Sequence, residues 1–345
     1  MKNIIRGKNI AEKVVFVDGF PGCGKTLFSM LISTMGRVEL LSYTYEIEHM
    51  CQLFYLGKIT TDAAAAMVSV QTDLRAYNAM MGRNVNFRPS DLSSAIKYHN
   101  PSKYFQRIFQ EGDESVLEAI KKEDPILNFS VHNMLSHSAP IWDALKERCV
   151  FIEVVRHPLY MFRQEALNME RLIGNARHFS MYYENNGHEF VYYVKGWEEN
   201  YIKSNDVDRA IYFMDNSIKI TNRVRNELVN KYGNNILTIP FEKFVLSPDS
   251  WIDQISKTIG TNVTNATRKV MKEQNVPRDR VAQGIDIDIY RRCGWVPPAD
   301  NTTERDELNI RREDAARKGS NDALIVLDRI SKEYEDKYWN PDFCK

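Results

Sequence analysis

The chain has 345 residues, of which 43% are hydrophobic and 27% are charged, as in an ordinary globular protein long enough for one large α/β domain. Lysine and arginine together number 46, as do aspartate and glutamate, so the formal net charge is zero. This balance argues against a broad nucleic-acid-binding face, although it leaves room for a local basic pocket. No stretch approaches the roughly 20 apolar residues of a membrane span. The five cysteines form no CxxC pair and the histidines show no ligand spacing, so we expect a cytoplasmic protein without a bound metal.

The glycine-rich segment 19–26 carries the strongest signal in the chain. It fits the pattern G-x-x-x-x-G-K-[ST] in full, and it lies between an apolar run at 14–17 and an amphipathic stretch at 25–34. In such a strand–turn–helix unit, backbone N–H groups and the positive end of the helix converge on one concavity. The segment therefore predicts a site for a phosphate or a phosphate-like anion. The loop backbone, a mobile ammonium group and a hydroxyl come from Gly22, Cys23, Gly24, Lys25 and Thr26.

Hydrophobic periodicity predicts the remaining elements in chain order. Further strands are expected at 38–41, 126–131, 149–155 and 236–240. Helices are expected at 44–56, 63–81, 91–98, 102–109, 114–122, 141–148, 207–231 and 248–259. The run 149–155 is almost entirely apolar, which is typical of a buried parallel strand. The alternation of strands and helices predicts an α/β fold with a doubly wound parallel β-sheet flanked by helices.

Three segments lie outside this alternation. Residues 57–124 are predicted to form a helical insertion between core strands, and residues 300–339 a charged, helical C-terminal arm. Two tyrosine-rich runs flank Asn185-Asn186-Gly187, which favours a β-hairpin because Asn-Gly tolerates positive φ. This hairpin is interpreted either as a lid over a site or as an aromatic surface element. The whole chain, residues 1–345, is expected to form a single domain.

Three segments, taken in order, resemble the PAPS-dependent sulfotransferase family, in which PAPS is 3′-phosphoadenosine 5′-phosphosulfate. Residues 19–26 resemble the family's P-loop-type 5′-phosphosulfate loop. Residues 151–160 resemble the family's strand that ends in Arg-x-Pro, whose arginine, here Arg156, binds the 3′-phosphate. Residues 236–248 resemble a strand followed by the family's Tyr-Glu-Asp-Leu and Asp-Pro motifs. The resemblance covers about residues 14–260 and implies metal-free, in-line transfer of a sulfuryl group from PAPS to a hydroxyl or an amine.

The chain departs from the family pattern at three places. The family usually has a serine eight residues after the 3′-phosphate arginine; here that position is Gln164, whose amide can still donate a hydrogen bond to phosphate. The loop ends in Gly24-Lys25-Thr26, which is closer to the form found in nucleotide triphosphatases. The family's C-terminal Arg-Lys-Gly segment has no clear counterpart. Arg278 and Arg280 are the candidates for it, and the alternative is that both are ordinary surface arginines.

The resemblance also implies catalytic roles. Lys25 neutralises charge on the bridging and sulfuryl oxygens, unless it only binds the donor. The base that removes the acceptor's proton is either His132, where cytosolic members carry a catalytic histidine, or Glu46, where branches acting on carbohydrate carry a glutamate; Glu48 is a lesser option. Cys23 lies at a helix start, where a thiol pKa can fall, but we interpret it as loop backbone. The implied acceptor is a small molecule or a glycan.

Two other functions fit the same sequence. A kinase that uses ATP and magnesium usually carries an aspartate at the end of a second strand. The candidate is Asp215, but it falls within a helical pattern, and Asp18 is too close to the loop. A nucleotide-binding module without catalysis would need no base. Independently of the function, His132 has the alternative of only capping a strand or binding backbone, and Arg156 that of forming a salt bridge at a strand end.

Overall fold

The computed structural model describes residues 3–343 of the chain. Its strands are β1 (Lys13–Asp18), β2 (Ser42–Tyr43), β3 (Ile126–Ser130), β4 (Cys149–Val155), β5 (Tyr182–Asn185), β6 (His188–Val191) and β7 (Ile236–Pro240). Five of them form a sheet in the order β2–β3–β1–β4–β7, in which every neighbouring pair is parallel. Strands β5 and β6 form a separate antiparallel hairpin. The predicted α/β class and the predicted hairpin are confirmed.

Helices surround this sheet. They are α1 (Lys25–Ser33), α2 (Tyr45–Tyr55), α3 (Thr61–Met80), α4 (Pro101–Arg107), α5 (Glu114–Glu123), α6 (Ala139–Leu145), α7 (Pro158–Arg171), α8 (Glu198–Lys203), α9 (Asp206–Tyr232), α10 (Phe241–Leu246), α11 (Asp249–Ile259), α12 (Asn265–Glu273), α13 (Asp288–Arg292), α14 (Glu304–Ala316) and α15 (Asn321–Lys337). Helices α3 to α5 make up the predicted insertion, and α14 and α15 the predicted C-terminal arm. No helix within residues 3–343 combines the length and the apolarity needed to cross a bilayer.

Strand β1 lies at the centre of the sheet, between β3 and β4. The chain places β2 and β3 on one side of β1, and then crosses over to place β4 and β7 on the other. The carboxyl ends of β1 and β4 therefore meet at a topological switch point, where open α/β sheets bind their ligands. The predicted phosphate loop follows β1, and Arg156 follows β4. The topology thus brings two sequence-distant predicted sites to one edge of the sheet.

Both faces of the sheet are covered, because successive side chains along a strand point to opposite faces. Val15, Val17 and Ile152 are buried on one face in a core shared with α1, α7 and α11. On the other face Phe16 stacks on Phe151 with ring centroids 5.1 Å apart, in a core shared with α2, α3 and α6. The doubly wound sheet predicted from the sequence is confirmed.

The strand predicted at 38–41 is wrong. The edge strand is β2, and upstream of it only Val38 makes an isolated bridge to β3. The N–H of Leu40 donates instead to the hydroxyl of Tyr104 on α4 at 2.7 Å, and the carboxylate of Glu39 also turns toward the insertion. The N–H of Glu39 still donates to the carbonyl of Ile126 on β3 at 2.9 Å, and the chain leaves the sheet at Leu40, where the insertion takes the backbone N–H.

The helix predicted at 91–98 is also wrong, since only a short 3-10 turn forms at Ala95–Lys97. The side-chain amide of Asn86 donates to the carboxylate of Asp91 at 3.1 Å and to the hydroxyl of Ser93 at 3.0 Å. Short polar side chains that form such local hydrogen bonds compete with the helical backbone pattern. The segment is therefore held as a loop.

Helix α7 follows β4 almost directly, at Pro158, where the sequence analysis predicts only the end of a strand. Pro158 is its first residue, a position that suits proline because the missing N–H would have no helical partner there. The preceding His157 accepts the N–H of Leu159 on Nδ1 at 3.2 Å and so caps the helix. The turn from β4 into α7 is thus short and rigid, and it fixes Arg156 at the switch point.

A buried ion cluster fastens the insertion to the segment before β2. Arg107, which is 2% exposed, donates to both carboxylate oxygens of Glu39 at 2.8 and 3.0 Å, and Lys103 donates at 2.8 Å. Burial alone would raise the pKa of Glu39, but the hydrogen bonds and charges of Arg107 and Lys103 hold it at about 2. Arg107 also bonds Glu123 on α5 at 2.8 Å. The cluster therefore joins α4 and α5 to the edge of the sheet.

We expect Glu39→Gln to destabilise the fold by about 3 kcal/mol, because it leaves a buried guanidinium without its main counter-ion. The folded-state pKa of about 2 lies below the ordinary value of 4.5, so the carboxylate's contribution is present above about pH 4.5 and is lost as the pH falls toward 2. Urea unfolding at neutral pH measures the loss. The control is Glu123→Gln, whose carboxylate is 39% exposed and should cost no more than about 1 kcal/mol. Equal losses for the two variants would contradict this assignment.

Candidate active site

The phosphate loop between β1 and α1 packs closely against α7 and α10. Gly22 and Gly24 have φ angles of 83° and 96°, in the left-handed region that favours glycine. A Cβ atom on Gly24 would overlap the ring of Phe241, and one on Gly22 would press on the side chain of Gln164. The loop therefore requires glycine at both positions to follow this path.

Lys25, the first residue of α1, folds its ammonium group back over the loop. Its Nζ donates to the main-chain carbonyls of Gly19 at 3.2 Å and Phe20 at 3.4 Å, and the residue is 7% exposed. Thr26 follows it in the first turn of the helix. Among the described residues the lysine's partners are main-chain dipoles rather than a carboxylate. Its positive charge is therefore available to an anion.

Cys23 does not behave as its position at a helix start suggests. Burial raises the pKa of its thiol to about 11, against the smaller lowering effect of the Lys25 charge. The thiol is fully buried and stays protonated at neutral pH. The helix start therefore does not lower the thiol pKa, which agrees with the interpretation of Cys23 as loop backbone rather than as a nucleophile.

Asp18, the last residue of β1, ties the phosphate loop to the segment that carries His132. Its buried carboxylate accepts the backbone N–H groups of Met134 at 2.8 Å and Leu135 at 2.7 Å. The N–H of Asn133 donates at 3.2 Å to the same loop carbonyl that accepts the lysine ammonium. Burial raises the pKa of Asp18 to about 6, although the backbone hydrogen bonds oppose this. The residues after β3 are thereby held against the loop.

His132 and Glu48 form a hydrogen-bonded pair. The Nδ1 atom of His132 lies 3.0 Å from Oε1 of Glu48, which is buried, whereas the imidazole is 35% exposed. The rings of Tyr43 and Tyr45 stack nearly parallel to the imidazole, with centroids at 6.2 and 6.1 Å. A carboxylate on Nδ1 fixes the ring and leaves Nε2 as the nitrogen that can accept a proton. The pair has the geometry of a base with its orienting carboxylate.

Glu46 lies in a different environment from Glu48. Its half-exposed carboxylate accepts two hydrogen bonds from Arg75 on α3, at 2.9 and 3.1 Å. Of the glutamates at the start of α2, the structure brings Glu48 to His132 and leaves Glu46 in a surface ion pair. From the sequence, Glu46 is instead preferred over Glu48 as a candidate for the base.

Arg156 follows β4 and reaches the phosphate loop. It is half-buried, and its Nη1 donates to the carbonyl of Gly22 at 2.8 Å, while its buried Nε has no hydrogen-bond partner in the described part of the chain. The guanidinium lies 4.2 Å from the ring centroid of Phe241 and 4.8 Å from that of Tyr160. Burial lowers the pKa of Arg156, with Glu242 opposing the shift. The strand end therefore presents a cation to the loop, as the sequence predicts.

Arg278 joins Arg156 at the same aromatic ring. Its guanidinium lies 5.5 Å from the ring centroid of Phe241, and its hydrogen bonds within residues 3–343 go to main-chain carbonyls. Burial, followed by the positive charge of Arg156, lowers the pKa of Arg278 to about 10. Arg280, by contrast, donates to the carbonyl of Ala299 and to the hydroxyl of Thr302. Of the two C-terminal arginines considered in the sequence, only Arg278 comes to the site.

The C-terminal arm holds this cationic strand end in place. Glu242 is fully buried, and its two oxygens accept the N–H of His157 at 2.9 Å and the hydroxyl of Tyr334 on α15 at 2.5 Å. The Nε2 atom of His157 lies 3.3 Å from Glu335 on the same helix. Helix α15 is therefore fastened to the residues next to Arg156.

Two neighbouring residues of α7 border the loop. The amide oxygen of Gln164 lies 3.2 Å from where a Cβ on Gly22 would be. The side chain therefore borders the loop backbone that the sequence predicts to bind an anion. Glu165, which the sequence interpretation does not single out, is 2% exposed, and its Oε1 has no hydrogen-bond partner among the described residues. Burial raises the pKa of Glu165 to about 8, against the lowering effects of Asn168 and Lys25. A neutral carboxyl group therefore lies near the loop lysine at neutral pH.

Asp215, the aspartate considered for a kinase, lies on α9 rather than at a strand end. Its carboxylate bonds Lys219 at 2.7 Å and Arg329 at 2.6 Å, so its charge is already paired. Within the described residues, no group of three or more His, Cys, Asp or Glu side chains is placed to hold a metal ion.

No protein-family model matches the chain, and no curated protein matches its sequence. Twelve solved chains match it in structure. Sulfotransferases are among them. The sulfotransferase domain of the Synechococcus olefin synthase has 12% identity and a TM-score of 0.42, and the alignment covers 97% of this chain and 98% of that one. A sulfotransferase from Mycobacterium avium has 14% identity and a TM-score of 0.46, with 95% and 77% covered.

A third match is the sulfotransferase domain of the curacin biosynthetic pathway, with 11% identity, a TM-score of 0.45 and coverage of 94% of this chain and 97% of that one. The chain is thus similar to sulfotransferase domains over most of its length. All three TM-scores lie below 0.5, so the functional assignment depends on the side chains of the site itself.

We expect the buried Glu165 carboxyl to make stability fall as the pH rises. Its folded-state pKa of about 8 lies above the ordinary value of 4.5, so its stabilising contribution is complete below pH 4.5 and is lost as the pH rises through about 8. Wild type should therefore lose stability relative to Glu165→Gln by roughly 1.4 kcal/mol for each pH unit between about 5 and 8. Urea unfolding at several pH values measures this difference.

The control for this experiment is Glu170→Gln, which changes a half-exposed carboxylate on the same helix and should follow the wild-type pH dependence. If the curves of wild type and Glu165→Gln run parallel, the carboxyl of Glu165 is not held neutral in the folded state.

Proposed function

We propose that this protein is a sulfotransferase that moves a sulfuryl group from PAPS to a hydroxyl or an amine. The observation that carries the proposal is a group of three cations at the switch point: Lys25, Arg156 and Arg278. Within residues 3–343, each of them hydrogen-bonds only to main-chain carbonyls. Buried or half-buried positive charges that form no ion pair raise the free energy of the site, and a bound anion would relieve this cost.

The residues present fit the two anionic ends of PAPS. The loop, with Lys25 and Thr26 at the start of α1, has the features of a site for the 5′-phosphosulfate. Arg156 and Arg278 share one aromatic ring, and the buried Nε of Arg156 lacks a partner, so this pair suits the 3′-phosphate. A guanidinium fork donates two parallel hydrogen bonds to a phosphate. Gln164 borders the loop and can contribute a further donor.

The chemistry of the transfer asks for charge stabilisation and a base. The acceptor oxygen forms a bond to sulfur while the bond from sulfur to the bridging oxygen breaks, and negative charge develops on that leaving oxygen. The ammonium group of Lys25 is the cation available to stabilise this charge. His132, oriented by Glu48, takes the acceptor's proton on Nε2. Glu46 is left out of the reaction because its carboxylate is paired with Arg75.

The 3′-phosphate separates this proposal from the kinase alternative. The loop sequence alone suits ATP as well as PAPS. ATP, however, has no phosphate on its 3′ oxygen, so it would leave the charges of Arg156 and Arg278 without a counter-ion. The arginine pair therefore favours PAPS.

Arg156→Ala and Arg278→Ala should each weaken the binding of adenosine 3′,5′-bisphosphate by about ten- to a hundredfold, the loss expected for a charge-assisted hydrogen bond. Binding of adenosine 5′-monophosphate should change little, because it lacks the group that these side chains contact. Isothermal titration of both nucleotides measures the difference. Arg280→Ala is the control, since its guanidinium is used by Ala299 and Thr302. Equal losses for the two nucleotides would contradict a 3′-phosphate site.

His132→Ala should lower kcat for sulfuryl transfer by about 10²- to 10⁴-fold, the usual contribution of a general base, with bisphosphate affinity retained. Glu48→Gln should give a smaller loss, because the imidazole keeps its position but loses its charged partner. Glu46→Gln should have no effect. Release of adenosine 3′,5′-bisphosphate from PAPS in the presence of hydroxyl acceptors measures turnover. A larger loss from Glu46→Gln than from His132→Ala would show that the base is misassigned.

A further inference from the structure

A cleft opens near the proposed base, between β2, β3 and the helical insertion. Its volume is about 310 Å³, near the lower end of the range for small-ligand pockets. The polar and aromatic side chains that line it include Tyr43, Tyr45, Arg75, Asn78 and Arg83.

The cleft is separated from His132 by two tyrosine rings. Tyr43 and Tyr45 line it, and the same two rings stack on the imidazole. Tyr45 is 42% exposed and also contacts Phe179, which is exposed, edge to face. A molecule in the cleft that extends past these rings therefore reaches the base.

The charge of the cleft is positive where it faces solvent. Arg83 is exposed and makes no ion pair or side-chain hydrogen bond with the described residues, and Arg75 shares its charge with the half-exposed Glu46. The one carboxylate that lines the cleft, Glu39, is neutralised by Arg107 and by a lysine of the insertion. The cleft is therefore suited to an anionic group.

We propose that this cleft binds the acceptor and that the acceptor is an anionic saccharide. The guanidinium of Arg83 pairs with its carboxylate or sulfate group, and Tyr45 packs against a sugar ring. A neighbouring hydroxyl then lies at His132. The last step rests on the proposed function, whereas binding in the cleft does not.

Equilibrium binding of three probes tests this inference without requiring turnover. They are p-nitrophenyl β-D-glucuronide, p-nitrophenyl β-D-glucoside and the 6-sulfate of that glucoside, which share one ring and differ at C6. Wild type should bind the two anionic probes about tenfold more tightly than the neutral glucoside, as expected for one charge-assisted hydrogen bond. A preference for one anion over the other identifies the group that the cleft selects.

Arg83→Gln should reduce the preference for both anions toward equality and leave the affinity for the neutral glucoside unchanged. Arg88→Gln, which removes a 76% exposed arginine of the same insertion from outside the cleft, should retain the full preference. A neutral probe that binds as tightly as the anions, no binding of any probe, or a preference that survives Arg83→Gln would each overturn the inference. Loss of bisphosphate binding with the anion preference intact would instead contradict the proposed donor.

Discussion

The site depends on one buried carboxylate. Asp18 ends the central strand, and instead of pairing with a cation it accepts two backbone N–H groups from the segment that follows β3. This holds His132 next to the phosphate loop, although more than a hundred residues separate them in sequence. The insertion between β2 and β3 therefore extends the surface beside His132 without displacing this residue from the phosphate loop.

Charge sets the second constraint. Arg156 and Arg278 lie over one phenyl ring, and burial lowers the pKa of each guanidinium group. The fold tolerates this because α15 fixes the strand end through Glu242 and Tyr334. These hydrogen bonds hold the strand end rigidly, so that the two positive charges stay close together. An anion bound between the two guanidinium groups would offset part of the cost of holding these positive charges close together.

Local signals made much of this predictable. The glycine loop, the apolar run of β4 and the strand-end Arg156 are contiguous in sequence, so periodicity and motif spacing reveal them. Arg278 is not predictable in this way, because no local pattern shows that a loop far downstream returns to Phe241. The single-domain organisation and the roles of the site residues stay predictions.

The choice between Glu46 and Glu48 lay within reach of the sequence. Two residues apart on a helix, their side chains point about 200° away from each other. Ile47 and Cys51, both fully buried, mark the inner face of α2, and Glu48 falls beside them. The absence of a strand at 38–41 could not be predicted in the same way, because it depends on Tyr104 of α4 accepting the backbone N–H of Leu40.

The proposed function depends above all on a site for a nucleotide with a 3′-phosphate. Thermal unfolding of the full chain, with adenosine 3′,5′-bisphosphate in one sample and ATP with magnesium in another, tests it most directly. A ligand that binds only the folded state adds about 2.7 kcal/mol of stability at a hundredfold excess over its dissociation constant. We expect a higher Tm with the bisphosphate and little change with ATP and magnesium. A rise with ATP and magnesium alone would contradict it and favour a kinase.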